Sequence, residues 1–264
     1  MLDWLKRIAN PAARVQSIDN DSITVATEDK VERLAVRFAG PNAAAGGGGR
    51  RSHDMRIIAV CSQKGGAGKT TIAAHLAVQA ATMGHGPAVL VDTDPQGSLG
   101  EWWRARGDDT LPLSIVKPID LRAELATIRS REAALAIIDT PPALTTEIAQ
   151  VMAVADLVLI PARPSPHDLR AISATVDLVR RARKPFLFVV NGAANRAHIT
   201  AECVAALSEH GRVAPVILYQ RTEWASSMIN GRTVIETAGS GKSAQEVAEL
   251  WDYAQAQIAM RAAA

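Results

Sequence analysis

Two lysines five positions apart, Lys64 and Lys69, enclose a stretch with three glycines, Gly65, Gly66 and Gly68, in the segment CSQKGGAGKTT. Glycines let backbone N–H groups converge on an anion without side-chain clash, and a helix N-terminus beyond them adds its positive dipole. In a phosphate-binding loop Lys69 would reach the β- and γ-phosphates, and Thr70 would place its hydroxyl on Mg²⁺. The strict spacing G-x-x-x-x-G-K-[ST] is not met, because Gln63 holds the first glycine position. The glycines alone would equally suit a tight turn between a strand and a helix. The Lys69–Thr70 pair in that setting favours the phosphate cradle.

Phosphoryl chemistry also needs carboxylates for a metal and for the attacking water. The run VLVDTDPQGS ends in Asp92 and Asp94, which share one side of an extended chain because alternate strand residues share a face. The run LAIIDTPP ends in Asp139, placed like a Walker B aspartate that holds Mg²⁺ directly or through water. Each aspartate alone is more often a loop cap. Beside a phosphate loop the three together point to a nucleotide site. Lys64 has no role in that scheme.

The elements that must hold these residues are short apolar runs separated by helical stretches. RIIAVCS precedes the glycine loop, TTIAAHLAVQAATMG follows it, and PAVLVDTD, LAIIDTPP, DLVLIPA, PFLFVVNG and APVILYQ read as further strands. Near-continuous apolar strands alternating with helices such as HDLRAISATVDLVRRAR predict an α/β fold: a mostly parallel twisted sheet with helices on both faces. Ligands bind such sheets beyond the carboxyl ends of the strands, where these polar residues fall.

Upstream the pattern differs. Residues 39–54 contain four consecutive glycines after an alanine run and read as a flexible linker between an appendage, residues 1–38, and the main domain, residues 55–264. Within the appendage Leu2, Leu5 and Ile8 suggest one short amphipathic helix, and SITVAT and ERLAVRF suggest a pair of strands. That is too little to bury a core of its own.

Composition excludes several classes. Of 264 residues, 48% are hydrophobic and 21% charged, which argues against a disordered or fibrous chain. The net charge of +2 means that any nucleic-acid binding must come from a local basic patch. Cys61 and Cys203 show no metal or redox spacing, and the six histidines include no ligand-like pair. Nothing resembles a signal peptide or a membrane span, so a soluble, cytoplasmic protein is expected.

The motifs KGGAGKTT from Lys64, VDTDPQG from Val91, IIDTPP from Ile137 and VVNG from Val189 resemble the ParA/MinD family of P-loop ATPases, also called deviant Walker A ATPases. The resemblance runs from Arg56 to the C-terminus and implies ATP and Mg²⁺ as ligands. It implies nucleotide contacts from Gly65, Gly66, Ala67, Gly68, Lys69, Thr70 and Thr71, with Asn191 reading the adenine edge. Lys64 matches the family's signature lysine, which contacts the nucleotide of the partner subunit when ATP is sandwiched in a homodimer. Asp94 matches the switch residue required for water attack, and Asp92 lies near the metal together with Thr70 and Asp139.

Among branches of that family, small ParA-like proteins fit best. The C-terminal AELWDYAQAQIAMRAAA lacks the cationic, bulky apolar character of a MinD membrane helix and reads as the last helix of the fold. The cysteines do not suit the iron–sulfur branch. ParA-like proteins bind DNA non-specifically through basic residues of the C-terminal half, which here implicates Arg196, Arg221, Arg232 and Lys242, with the run Arg180, Arg181, Arg183, Lys184 as a further cluster. Residues 1–38 are too short and strand-like for a helix-turn-helix module. The resemblance thus implies a nucleoid-associated positioning or segregation ATPase whose hydrolysis is stimulated by a ParB-like or other cargo adaptor. Two alternatives are a membrane-surface ATPase of the MinD kind, anchored through LDWLKRI near the N-terminus, and a scaffold ATPase of a secretion or conjugation system.

Overall fold

The computed structural model describes residues 14–19, 22–27, 30–35, 55–142, 146–195 and 197–262. The expected N-terminal amphipathic helix, the residue 39–54 linker and Arg196 lie outside the described residues.

Three N-terminal strands, β1 (Arg14–Asp19), β2 (Ser22–Thr27) and β3 (Lys30–Ala35), form an antiparallel sheet in that order. This is one strand more than the pair expected. The extra strand, RVQSID, carries a register irregularity between Val15 and Ser17, which throws its alternation out of phase.

The main domain is a seven-stranded sheet. Its strands are β4 (Arg56–Val60), β5 (Ala88–Asp92), β6 (Leu113–Ile115), β7 (Leu135–Asp139), β8 (Leu157–Ala162), β9 (Phe186–Ala193) and β10 (Leu218–Tyr219), in the order β10-β9-β8-β4-β7-β5-β6. Every neighbouring pair is parallel. Helices α1 (Lys69–Thr82), α2 (Ser98–Arg106), α3 (Leu121–Ser130), α4 (Thr146–Val154), α5 (Pro166–Arg181), α6 (His198–Ser208), α7 (Thr222–Met228), α8 (Val234–Thr237) and α9 (Lys242–Ala262) connect or cover the strands.

Both faces of the sheet are buried, which explains why the strands read as unbroken apolar runs. In β4 Ile57 and Ala59 enter one core while Ile58 and Val60 enter the other; β7, β8 and β9 divide their residues in the same way. The first core is closed by α3 to α6 through residues such as Leu125, Ile148, Ile172 and Val204. The second is closed by α1, α2, α8 and α9, through Leu76, Trp102, Val234 and Trp251. The C-terminal segment is therefore the last helix of the fold, as expected, and packs Leu250, Trp251, Ala254 and Ile258 inward. Trp251 is fully buried and its Nε1–H donates to His85 Nδ1 at 3.0 Å.

The segment APVILYQ is a strand only at Leu218–Tyr219. Pro215 has no N–H to give to a ladder, so the chain touches β9 at Val213, leaves it, and rejoins two residues from Val216.

Candidate active site

At the carboxyl edge of the sheet Val60, Asp139 and Asp92 stand level on three adjacent strands, in the registers Val60↔Asp139 and Asp92↔Asp139. The glycine loop leaves β4 here, at the centre of the sheet, so the aspartates of β5 and β7 are delivered to the same side of it. Two threonines that the motif reading did not single out lock this edge. Thr93 Oγ1 donates to the Asp139 carbonyl at 2.7 Å, and Thr140 Oγ1 donates to the Val60 carbonyl at 2.9 Å. The signal was present: an Asp-Thr dipeptide closes both β5 and β7.

Gly68 caps α1 with φ 96°, and no side chain caps the helix. The first-turn N–H groups consequently remain available to an anion. A Cβ on Gly68 would lie 2.1 Å from Asn191 Nδ2, so glycine is required there by backbone conformation and by contact. The same Asn191 Nδ2 donates to the Ala67 carbonyl at 2.7 Å. Asn191, expected to read an adenine edge, thus braces the phosphate loop from the end of β9, 124 residues away in sequence.

Lys69 is buried, and its Nζ lies 3.4 Å from the Lys64 carbonyl oxygen. Burial lowers its pKa, while the charges of Asp139 and then Asp94 act the other way. Lys64 is only half-buried. Its N–H donates to Ser62 Oγ at 3.3 Å, and its ammonium makes no ion pair with a described residue. One loop therefore carries one buried cation and one open to solvent.

Thr70 Oγ1 donates to Asp139 Oδ2 at 2.5 Å. Asp139 Oδ1 is buried and has no hydrogen-bond partner among the described residues. Desolvation, only partly countered by the Thr70 bond, pushes the Asp139 carboxyl up to about 7. An orphaned carboxylate oxygen beside a threonine hydroxyl suits a hard divalent cation that takes oxygen ligands, so Mg²⁺ fits these residues.

Asp92 is arranged differently. It is fully buried, Oδ1 accepts from Asp94 N at 3.0 Å, and Oδ2 accepts from Gly100 N at 3.0 Å. Both of its oxygens tie the Asp94 loop to the start of α2, so its first role is to hold Asp94 in place. Burial nevertheless raises its pKa, ahead of the lowering by those two amides. Asp94 is half-exposed, with Oδ1 accepting from Gln96 N at 2.9 Å. It is the carboxylate of the three best able to meet a water.

His75, one turn beyond Thr71, was missed entirely. Its Nε2 accepts from Val234 N at 3.1 Å, so the proton sits on Nδ1, which donates to the Thr71 carbonyl at 2.8 Å. The ring is buried and its pKa is pushed down to about 4, chiefly by desolvation. It joins α1, at the phosphate loop, to α8.

The basic candidates do not form one set. Arg221 is held by Glu246, with an N–O distance of 2.7 Å, and its guanidinium lies 5.4 Å from the centre of the Tyr219 ring. Arg232 pairs more loosely with Glu236 at 3.6 Å and is 55% exposed. Lys242 is exposed at the start of α9. In the other cluster Arg180 donates to the His210 carbonyl at 2.8 Å, while Arg181 and Arg183 are exposed. Cys61 and Cys203 are buried with thiols pushed up to about 12, so both are packing residues. Among the described residues no helix is long and apolar enough to cross a membrane.

A parallel sheet with a lysine-bearing glycine loop after its central strand, and aspartates on the neighbouring strand ends, defines a P-loop nucleotide-binding protein. The chain belongs to the CobQ/CobB/MinD/ParA nucleotide binding domain family, whose pattern matches residues 58–234. The maintenance of carboxysome distribution protein A of Halothiobacillus neapolitanus is 31% identical over 207 residues, covering 74% of this chain and 94% of that one. Its counterpart in Gloeobacter kilaueensis is 38% identical over 129 residues, 48% of this chain and 58% of that one. Among solved structures, a Cyanothece McdA variant in complex with ATP superposes with a TM-score of 0.65 at 18% identity, over 79% of this chain and 97% of that one. At that identity the likeness speaks for the fold alone.

Proposed function

We propose that the chain is a Mg²⁺-dependent ATPase that pairs face to face around ATP and positions a cargo. In the paired state it binds DNA without reading sequence; an adaptor, ParB-like or analogous, stimulates hydrolysis and so releases it. It works in the cytoplasm, on the nucleoid. The relatives named for carboxysome distribution support positioning of a protein cargo as readily as of a plasmid or chromosome.

The observation that carries this reading is the division of labour between the two lysines. Lys69 is buried against its own loop, whereas Lys64, five residues earlier, is half-exposed without an ion pair to a described residue. A cation presented outward from a phosphate loop stabilises phosphate charge only when a second subunit brings a nucleotide to it, which couples pairing to ATP. The Thr70–Asp139 pair would hold the metal. It polarises the phosphates when bound, while Asp94 orients water.

Sedimentation of wild type and Lys64→Ala with ATP or ADP tests it. The expected result is an ATP-dependent dimer for wild type and a nucleotide-binding monomer for Lys64→Ala. A normal ATP dimer in the variant refutes the assignment. Adding DNA at increasing salt then separates DNA-bound positioning from a scaffold ATPase, because phosphate contacts weaken steeply with salt.

A further inference from the structure

The end of β8 supplies a third cation to the phosphate loop. Arg163 follows Ala162, and its side chain runs over Gly192 toward Gly66. A Cβ on Gly192 would lie 3.6 Å from Arg163 Nε, and one on Gly66 would lie 3.9 Å from Arg163 Nη1. Both glycines have positive φ, 65° and 73°, so the backbone on each side turns without a side chain and leaves the arginine a clear channel between them. Its carbonyl is held by Ser165 N at 2.7 Å, fixing the start of the side chain. The guanidinium makes no ion pair with a described residue, and the residue is exposed.

This differs from two arginines elsewhere in the fold. Arg106 and Arg221 each have a carboxylate within 2.8 Å, which spends their charge inside the fold. Arg163 has its five donors at the rim of a loop built for anions. The strand order places β8 beside β4 on the side opposite β7. Arg163 and Asp139 therefore flank the phosphate loop from two sides, one cationic and one anionic. A metal is drawn to the Asp139 side, and on the Arg163 side the complementary partner for a fork of N–H donors is phosphate oxygen.

We propose that Arg163 is a further nucleotide-binding residue, pairing with the polyphosphate of the nucleotide held in its own subunit's loop. The proposal rests on the ATPase reading above. Arg163 then supplies, from outside the motif, the charge that Lys64 directs to a partner.

The test is titration of the full chain with Mg²⁺–ATPγS and with ADP, for wild type, Arg163→Ala, Arg163→Lys and Lys69→Ala. Losing a charge-assisted contact to phosphate should weaken ATPγS binding by about tenfold or more in Arg163→Ala. Arg163→Lys should recover part of that loss, since it keeps the charge but not the fork. The melting temperature of the nucleotide-free chain should not move, and the loss should shrink as salt is raised. Unchanged affinity for both nucleotides in Arg163→Ala overturns the proposal, as does a loss seen only at protein concentrations where ATP pairs the chain. Failure of wild type to bind either nucleotide overturns the ATPase reading itself, and Lys69→Ala shows what loss of the loop looks like.

Discussion

The phosphate loop and the α7–α9 region both concentrate cationic side chains, and they use them in opposite ways. Around the loop, carboxylates stand near Lys69 without capturing it: Asp139 is bonded to Thr70, and Asp92 is committed to two backbone amides. In the α7–α9 region carboxylates capture two arginines outright, Glu246 taking Arg221 and Glu236 taking Arg106 from the end of α2. A charge left open is available to a ligand, whereas a charge already paired maintains the fold. Arg221 and Arg232 looked alike as sequence. Their exposure and pairing separate them.

The largest expected effect falls on the charges around the phosphate loop. On the proposed reading Lys69→Ala should weaken nucleotide binding by about 100-fold, because it would remove a buried cation from the phosphates. If its carboxylate orients water, as proposed, Asp94→Ala should leave affinity within about threefold yet slow turnover by about 100-fold. Normal turnover in that variant would return Asp94 to the role of a loop cap. Isothermal titration and phosphate release measure the two.

Next comes the loop's own geometry. Gly68→Ala forces a Cβ onto Asn191 at a left-handed φ and should cost about 2–4 kcal/mol in denaturant unfolding, with nucleotide affinity falling too. In the α7–α9 region Arg221→Ala should cost about 2 kcal/mol by leaving Glu246 buried and unpaired, even without DNA. Arg232→Ala should cost under about 0.5 kcal/mol and act only on DNA binding. If the two variants are equally stable, the contrast between paired and open arginines collapses.

The effect that nearly cancels in wild type is in pH. The Asp139 carboxyl is raised from 3.8 to about 7, so below 3.8 its contribution to stability is fully present, and it is lost as pH rises to about 7. His75 is lowered from 6.5 to about 4, so its contribution is lost as pH falls through the same range. The two slopes oppose each other and flatten the nucleotide-free profile. Asp139→Asn removes one of them, and thermal melting between pH 7 and pH 4 should then fall more steeply than in wild type.

Much of this was legible in the chain. The parallel sheet was readable because strands buried on both faces must be apolar at every position, and the loop because few uses of KGGAGKT compete with phosphate binding. What was not legible is the set of contacts that cross long separations. Nothing local to Asn191 says that it meets Ala67, and nothing local to His75 says that it meets Val234, 159 residues on. The short strand β6 was missed because three residues carry no period, and α7 and α8 because their burial is decided by the helices around them. The basic residues could not be sorted for a related reason: an arginine's partner is a matter of tertiary placement, and composition cannot distinguish Arg221 from Arg232.

His75 gives the fold a mechanical property. With one ring nitrogen on Thr71 and the other on Val234, it acts as a stiff strut between the helix that follows the glycine loop and the short helix beside Arg232. Its hydrogen bonds leave no slack, because lengthening either strands a buried polar group. A displacement of α1 would therefore pull on α8 through this ring as well as through the core they share. The imidazole thus adds a direct polar link to the apolar packing that already joins α1 and α8 in the second core.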